Sequence, residues 1–71
     1  MNVDVKYDKL WIILKEKGIN KTQLCDYTGI STNSMARLGK NEPVLIDVLI
    51  RICIVLNCKI DDIVEYGEWG E

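Results

Sequence analysis

The stretch NKTQLCDYTGISTNSMARLGKNEP, residues 20–43, carries two short helical patterns separated by a glycine. Asn20 is suited to cap a helix from Lys21 to about Thr28, because its side-chain oxygen can accept from a first-turn N–H that lacks a partner within the helix. Leu24 and the small Cys25 are the inward positions of that helix. Gly29 ends it, since a residue without Cβ enters the left-handed region at no steric cost. Ser31 then opens a further helix from Thr32 to about Leu38, with Met35 and Leu38 as its inward stripe. Leu24, Cys25, Gly29, Ile30, Met35 and Leu38 fall where two helices crossing steeply must touch, which is the arrangement of a helix-turn-helix.

The outward positions of the second of these helices are Thr32, Asn33, Ser34 and Arg37, with Lys40 just beyond. Such a series suits insertion into a DNA major groove: Asn bonds adenine bidentately, Thr meets a thymine methyl, Arg reads guanine, and Lys or Ser holds phosphate. An ordinary solvated helix start carries the same residue types, and composition does not separate the two readings.

On the N-terminal side, Leu10, Ile13 and Leu14, with Trp11 and Ile12 beside them, repeat at helical spacing from Asp8 to Lys17. Asp8 is the expected N-cap and Gly18 the stop. Val3, Val5 and Tyr7 alternate with polar residues in the period of a short strand. Trp11 reads as core or boundary packing rather than as a base-stacking residue, because it belongs to a helix. On the C-terminal side, Gly39, Asn41 and Pro43 break the pattern before a fourth helix from about Leu45 to Leu56. Ile60 to Ile63 then supply one last turn, and Val64, Glu65 and Tyr66 are able to pair with the first strand, leaving Gly67 to Glu71 as a tail.

With 71 residues there is room for one core and one domain, residues 1–71, with 1–6 and 67–71 as terminal arms. The expected fold is a compact all-α domain of four to five helices with short terminal strands. The formal charge of −2 counts weakly against a nucleic-acid partner, but its distribution is uneven. Lys17, Lys21, Arg37 and Lys40 against Asp26 leave one segment basic; Asp61, Asp62, Glu65, Glu68 and Glu71 against Lys59 make the end acidic. Three cysteines, Cys25, Cys53 and Cys58, leave an odd thiol in any pairing, so all three are expected to be reduced and the protein cytoplasmic. With no histidine and no CxxC, no metal site, cofactor or small-molecule ligand is expected. The most apolar run, Val44 to Leu56, is too short and too charged for a bilayer span, so no membrane association is expected. No nucleophile with a nearby base and no phosphate-cradling glycine loop points to an enzyme.

The run from Asn20 to Pro43 resembles the helix-turn-helix of the Cro and lambda-repressor type, the XRE family of transcriptional regulators. The resemblance extends over about Tyr7 to Val64, including the closing LNCKIDDIV, and is nearest to very small single-domain members. It implies a sequence-specific regulator of a double-stranded DNA operator. By position, Thr32, Asn33 and Arg37 match the family's principal base-reading residues. Lys21, Ser31, Ser34, Lys40 and Asn41 match positions that hold phosphate or the groove edge, and Lys21 stands where Gln is frequent. Cys25 replaces a usual Ala, and Gly39 stands where many relatives carry Glu or Arg, which implies a looser last turn.

On a helical wheel the fourth helix has two apolar stripes. Leu45, Leu49, Ile52, Cys53 and Leu56 form the expected core face, flanked by Val48 and Val55. Ile46, Ile50 and Ile54 form the other, and only Asp47 and Arg51 interrupt the circumference. Either loops and terminal segments cover the second stripe, or it is the seam of a homodimer, which Tyr66 and Trp69 would extend. The competing function is a protein-interaction module, an adaptor or antirepressor, that keeps the same fold and uses this aliphatic, acidic surface.

Overall fold

The computed structural model describes residues 3–68. Its elements are β1 (Val3–Lys6), α1 (Asp8–Lys17), α2 (Lys21–Thr28), α3 (Thr32–Gly39), α4 (Ile46–Leu56), a 3-10 turn over Ile60–Asp62 and β2 (Glu65–Glu68). The helical domain with two short strands is the architecture the sequence implies.

Local chemistry sets most helix boundaries. Asn20 and Gln23 form a reciprocal capping box: the Gln23 N–H donates to Asn20 Oδ1 at 2.7 Å, and the Asn20 N–H donates to Gln23 Oε1 at 3.0 Å. Gly29, with φ +74°, turns the chain out of α2 while its N–H donates to the Cys25 carbonyl at 2.8 Å. Ser31 caps α3 by accepting from the Ser34 N–H at 3.1 Å. Within the turn, buried Thr28 donates its hydroxyl to the Leu24 carbonyl at 2.7 Å and accepts from the Ile30 N–H at 3.4 Å, which satisfies polar groups that the crossing would otherwise strand.

Two of the sequence expectations for helix starts are corrected. Tyr7, not Asp8, is the cap residue of α1, and Asp8 lies inside the first turn, where its charge favours the positive end of the helix. The reason is tertiary: Tyr7 is buried, its hydroxyl donates to the Glu42 carbonyl at 2.8 Å, and its N–H donates to Asn41 Oδ1 at 3.4 Å. The second correction is Leu45, expected in the core and found 75% exposed. Leu45 is the extended residue before α4, with φ −64° and ψ 146°, so its side chain leaves the wheel that the stripe assumed. Val48 takes its place in the core face with Leu49, Ile52, Cys53 and Leu56.

The core joins that face to Tyr7, Leu10, Leu14, Leu24, Ile30, Met35, Leu38 and Ile63, and α2 packs on both α3 and α4. The two strands are antiparallel, with Val5 opposite Tyr66 and Asp4 opposite Gly67. β2 therefore runs further than the alternation at Val64 to Tyr66 suggested. Trp69 lies outside the described residues. All three cysteines are free thiols.

Among the described residues, loops and terminal segments do not cover the second stripe of α4. Ile46, Ile50 and Ile54 are 59%, 46% and 73% exposed, spaced by one helical turn each. Asp47 and Arg51 pair beside them at 3.7 Å on the same exposed surface. Among the described residues, no helix is long and apolar enough to cross a membrane.

Candidate nucleic-acid interface

The fixed turn from Thr28 to Ser31 sets the direction of α3, and with Met35 and Leu38 turned into the core, its opposite side is polar. Thr32, Asn33 and Arg37 stand exposed on that side, and Ser34 is half-buried. Asn33 and Arg37, one turn apart, line a recess of about 460 Å³ together with Ser34, Pro43, Val44 and Leu45. Thr32 instead faces a second recess, of about 220 Å³, shared with Lys21, Thr22, Cys25, Asp26 and Met35. The outward row of α3 is thus flanked on one side by the start of α2 and on the other by the chain leading into α4.

The supporting residues divide according to what their polar atoms already do. Ser31 donates to Ser34 Oγ at 3.1 Å while capping α3. Asn41 takes a left-handed conformation, φ 58°, and its side-chain Oδ1 accepts from the Tyr7 N–H. Its part in the site is first to shape the loop. With Asn41 in that conformation, the Glu42 N–H donates to the Arg37 carbonyl at 2.9 Å and the Asn41 N–H donates to the Leu38 carbonyl at 3.3 Å. These bonds close the end of α3, so Gly39 does not leave the last turn loose. Lys40 is exposed beside this closure.

Lys21 sits differently from a free surface lysine. Its ammonium lies over the Trp11 ring, 4.5 Å from the centroid. The half-buried Trp11 ring packs on the core, as its place on a helix implies, but its contact with Lys21 crosses a turn and has no local signal in the sequence. Leu45, Val44 and Pro43 were likewise not foreseen beside Arg37. Their position follows from the loop closure at Asn41, which depends on Tyr7, a residue 34 positions away.

The charges on this side are Lys21, Arg37 and Lys40, with Asp26 opposing them in the second recess. Among the described residues, no group of three or more potential metal ligands gathers.

A polar helix row positioned by a capped glycine turn defines a DNA-binding helix-turn-helix domain. The family comparison makes the assignment specific: residues 9–68 match the model of the Cro/C1-type HTH DNA-binding domain, and the chain belongs to that family. It is a DNA-binding domain, not an enzyme. Among solved structures the chain is similar to the transcriptional regulator VanUg, at 40% sequence identity and a TM-score of 0.90, over 94% of this chain and 89% of that one. A search of curated protein sequences gives no match.

Proposed function

We propose that the protein is a cytoplasmic transcriptional regulator that binds a short double-stranded operator as a homodimer, with α3 in the major groove. The observation that carries the reading is the exposed row Thr32, Asn33 and Arg37 on a helix whose start and end are both closed by hydrogen bonds. In this reading, Thr32, Asn33 and Arg37 contact base edges. Lys21 and Lys40 neutralise phosphates, and Ser31, Ser34 and Asn41 touch the groove edge, Asn41 with its amide group since its oxygen is committed to Tyr7. Likeness to VanUg, itself titled a transcriptional regulator, supports the regulatory role.

The homodimer is inferred from Ile46, Ile50 and Ile54, a row of large aliphatic side chains left in water by the single chain. Twofold pairing along α4 covers them and presents two copies of α3 to a twofold operator. The test is selection of bound duplexes from random sequence at low salt, followed by titration of the winner. A palindromic consensus bound at two chains per duplex supports the reading. Failure to retain any duplex favours the protein-interaction alternative, which the acidic charge and the exposed row of α4 also suit.

A further inference from the structure

We propose that Trp11 is a positioning residue for DNA binding, whose ring holds the Lys21 ammonium at the edge of α3, ready for a phosphate. This inference rests on the reading of the chain as a duplex-DNA binder. It goes beyond that reading by assigning a residue of α1 to the phosphate contact.

An isolated lysine at the start of a helix samples many rotamers, and immobilising it against phosphate opposes binding. Here the ammonium is already localised, because the negative face of an indole attracts a cation within about 6 Å of its centroid, and the observed separation is 4.5 Å. The ring is itself fixed. Trp11 is half-buried, packs on the core, and lines a recess with Leu14, Ile19, Asn20 and Lys21.

The choice of partner matters electrostatically. A carboxylate would also hold Lys21, but it would cancel the charge that a phosphate requires. The ring fixes the position and leaves the charge intact. Among the described residues, Lys21 takes part in no ion pair, unlike Arg51, which pairs with Asp47. The end of α3 lies beside the ammonium: a Cβ built on Gly39 would stand 3.9 Å from Lys21 Nζ, an ordinary contact. Lys21 also borders the recess that contains Thr32, which puts the held charge next to the row that faces bases. The ring occupies one side of the ammonium, and its remaining N–H donors stay open to a phosphate.

The experiment compares the intact protein with Trp11→Leu, Trp11→Tyr, Lys21→Met and the Trp11→Leu/Lys21→Met pair. Each is titrated with the duplex recovered by selection and with a scrambled duplex of equal length. Trp11→Leu is expected to weaken both duplexes alike, by about two- to fivefold, the range of an exposed cation–π contact. Trp11→Tyr should recover part of that loss, and Trp11→Leu should cost nothing further once Lys21 is Met. In the free protein, the Lys21 ε-methylene proton resonances should be shifted upfield by the ring, and return to ordinary positions in Trp11→Leu.

Equal loss from Trp11→Leu with and without Lys21 would assign Trp11 to packing alone and overturn the proposal while leaving DNA binding intact. Unshifted ε-proton resonances in the free protein overturn it without any DNA, even if the Leu variant fails to fold. If the intact protein retains neither duplex, the DNA reading itself falls, and the positioning role with it.

Discussion

Ile50→Glu is the substitution that bears most directly on how this small domain acts. The structure leaves Ile46, Ile50 and Ile54 at 59%, 46% and 73% exposure, so each already buries part of itself against its own chain. Scaling about 1.5–3 kcal/mol for a fully buried isoleucine by those exposed fractions gives about 3–5 kcal/mol per protomer for the row, and roughly twice that for a twofold pair. Association costs roughly 4–15 kcal/mol in lost translational and rotational freedom, so the row nearly offsets that cost and the dimer is expected to be weak. Ile50 contributes about 0.7–1.4 kcal/mol on each side of the seam. Replacing it in both protomers therefore weakens the dimer at least about tenfold to a hundredfold, and two carboxylates brought near the twofold axis add repulsion. The helical fold should survive, because nearly half of Ile50 faces water in the single chain. Sedimentation equilibrium reads the association, circular dichroism the fold, and titration of the operator the consequence: a helical monomer with sharply weaker operator binding. A dimer of unchanged affinity places the seam elsewhere, and an unfolded chain shows that Ile50 supports the core.

Arg37→Ala and Asn33→Ala are each expected to lower specific binding by about 1–3 kcal/mol and to relax preference at one or two base pairs, whereas Lys40→Ala should weaken all duplexes alike and flatten the salt dependence; a panel of mutated operators separates the two patterns. Gly29→Ala should lower stability by about 1–2 kcal/mol through its left-handed backbone alone, because an added Cβ would meet only Arg51 Nη1 at an ordinary 3.6 Å; urea unfolding reads this, and Gly29→Asn should cost less. Stability should also fall in alkali. Burial, with neighbouring Cys58, pushes the Cys53 thiol up to about 11 from 9.0, and burial also raises the Tyr7 phenol. Each folded group holds its proton more tightly than the unfolded one, so the Cys53 contribution is full below about pH 9 and disappears as pH climbs through 11, while the Tyr7 contribution is full below about pH 10 and is lost above it. Thermal melts of Cys53→Ala and Tyr7→Phe across that range should each show a shallower alkaline decline than the parent.

Helix positions were legible because their signals are local. Asn20, Gly18, Gly29 and Ser31 are caps whose partners lie within a few residues, and the spacing of Leu24, Met35 and Leu38 declares the inward side of the motif. The exposed row Thr32, Asn33 and Arg37 followed from the same spacing. What was not legible depends on contacts across the chain. Asp8 looks the better cap, yet Tyr7 holds that place because Asn41 and Glu42 bind it from 34 and 35 residues away. Leu45 satisfies the periodicity of α4 but precedes its first helical residue, and one extended ψ angle moves it from the core to the rim of the recess beside Arg37. The meeting of Trp11 with Lys21 likewise depends on the turn at Gly18 and the angle between α1 and α2. A sequence names those residues but not that angle.

The scarcity of charge on the proposed DNA side and the modest apolar row on α4 have a joint consequence. With Lys21 and Lys40 as the phosphate contacts, one protomer neutralises about two phosphates, and log K then falls with log salt at a slope of only about −2. A single chain so supplied, and acidic overall, binds duplex weakly. Two chains on one operator double the phosphate contacts, and once the first is bound the second docks at the high effective concentration that a neighbouring half-site provides. The proposed α4 seam and the proposed phosphate contacts are each too weak to dominate, so each would be completed only in the presence of the other. On the proposed reading, dimerisation and operator binding are linked equilibria, and operator occupancy is expected to rise more steeply than in proportion to protein concentration.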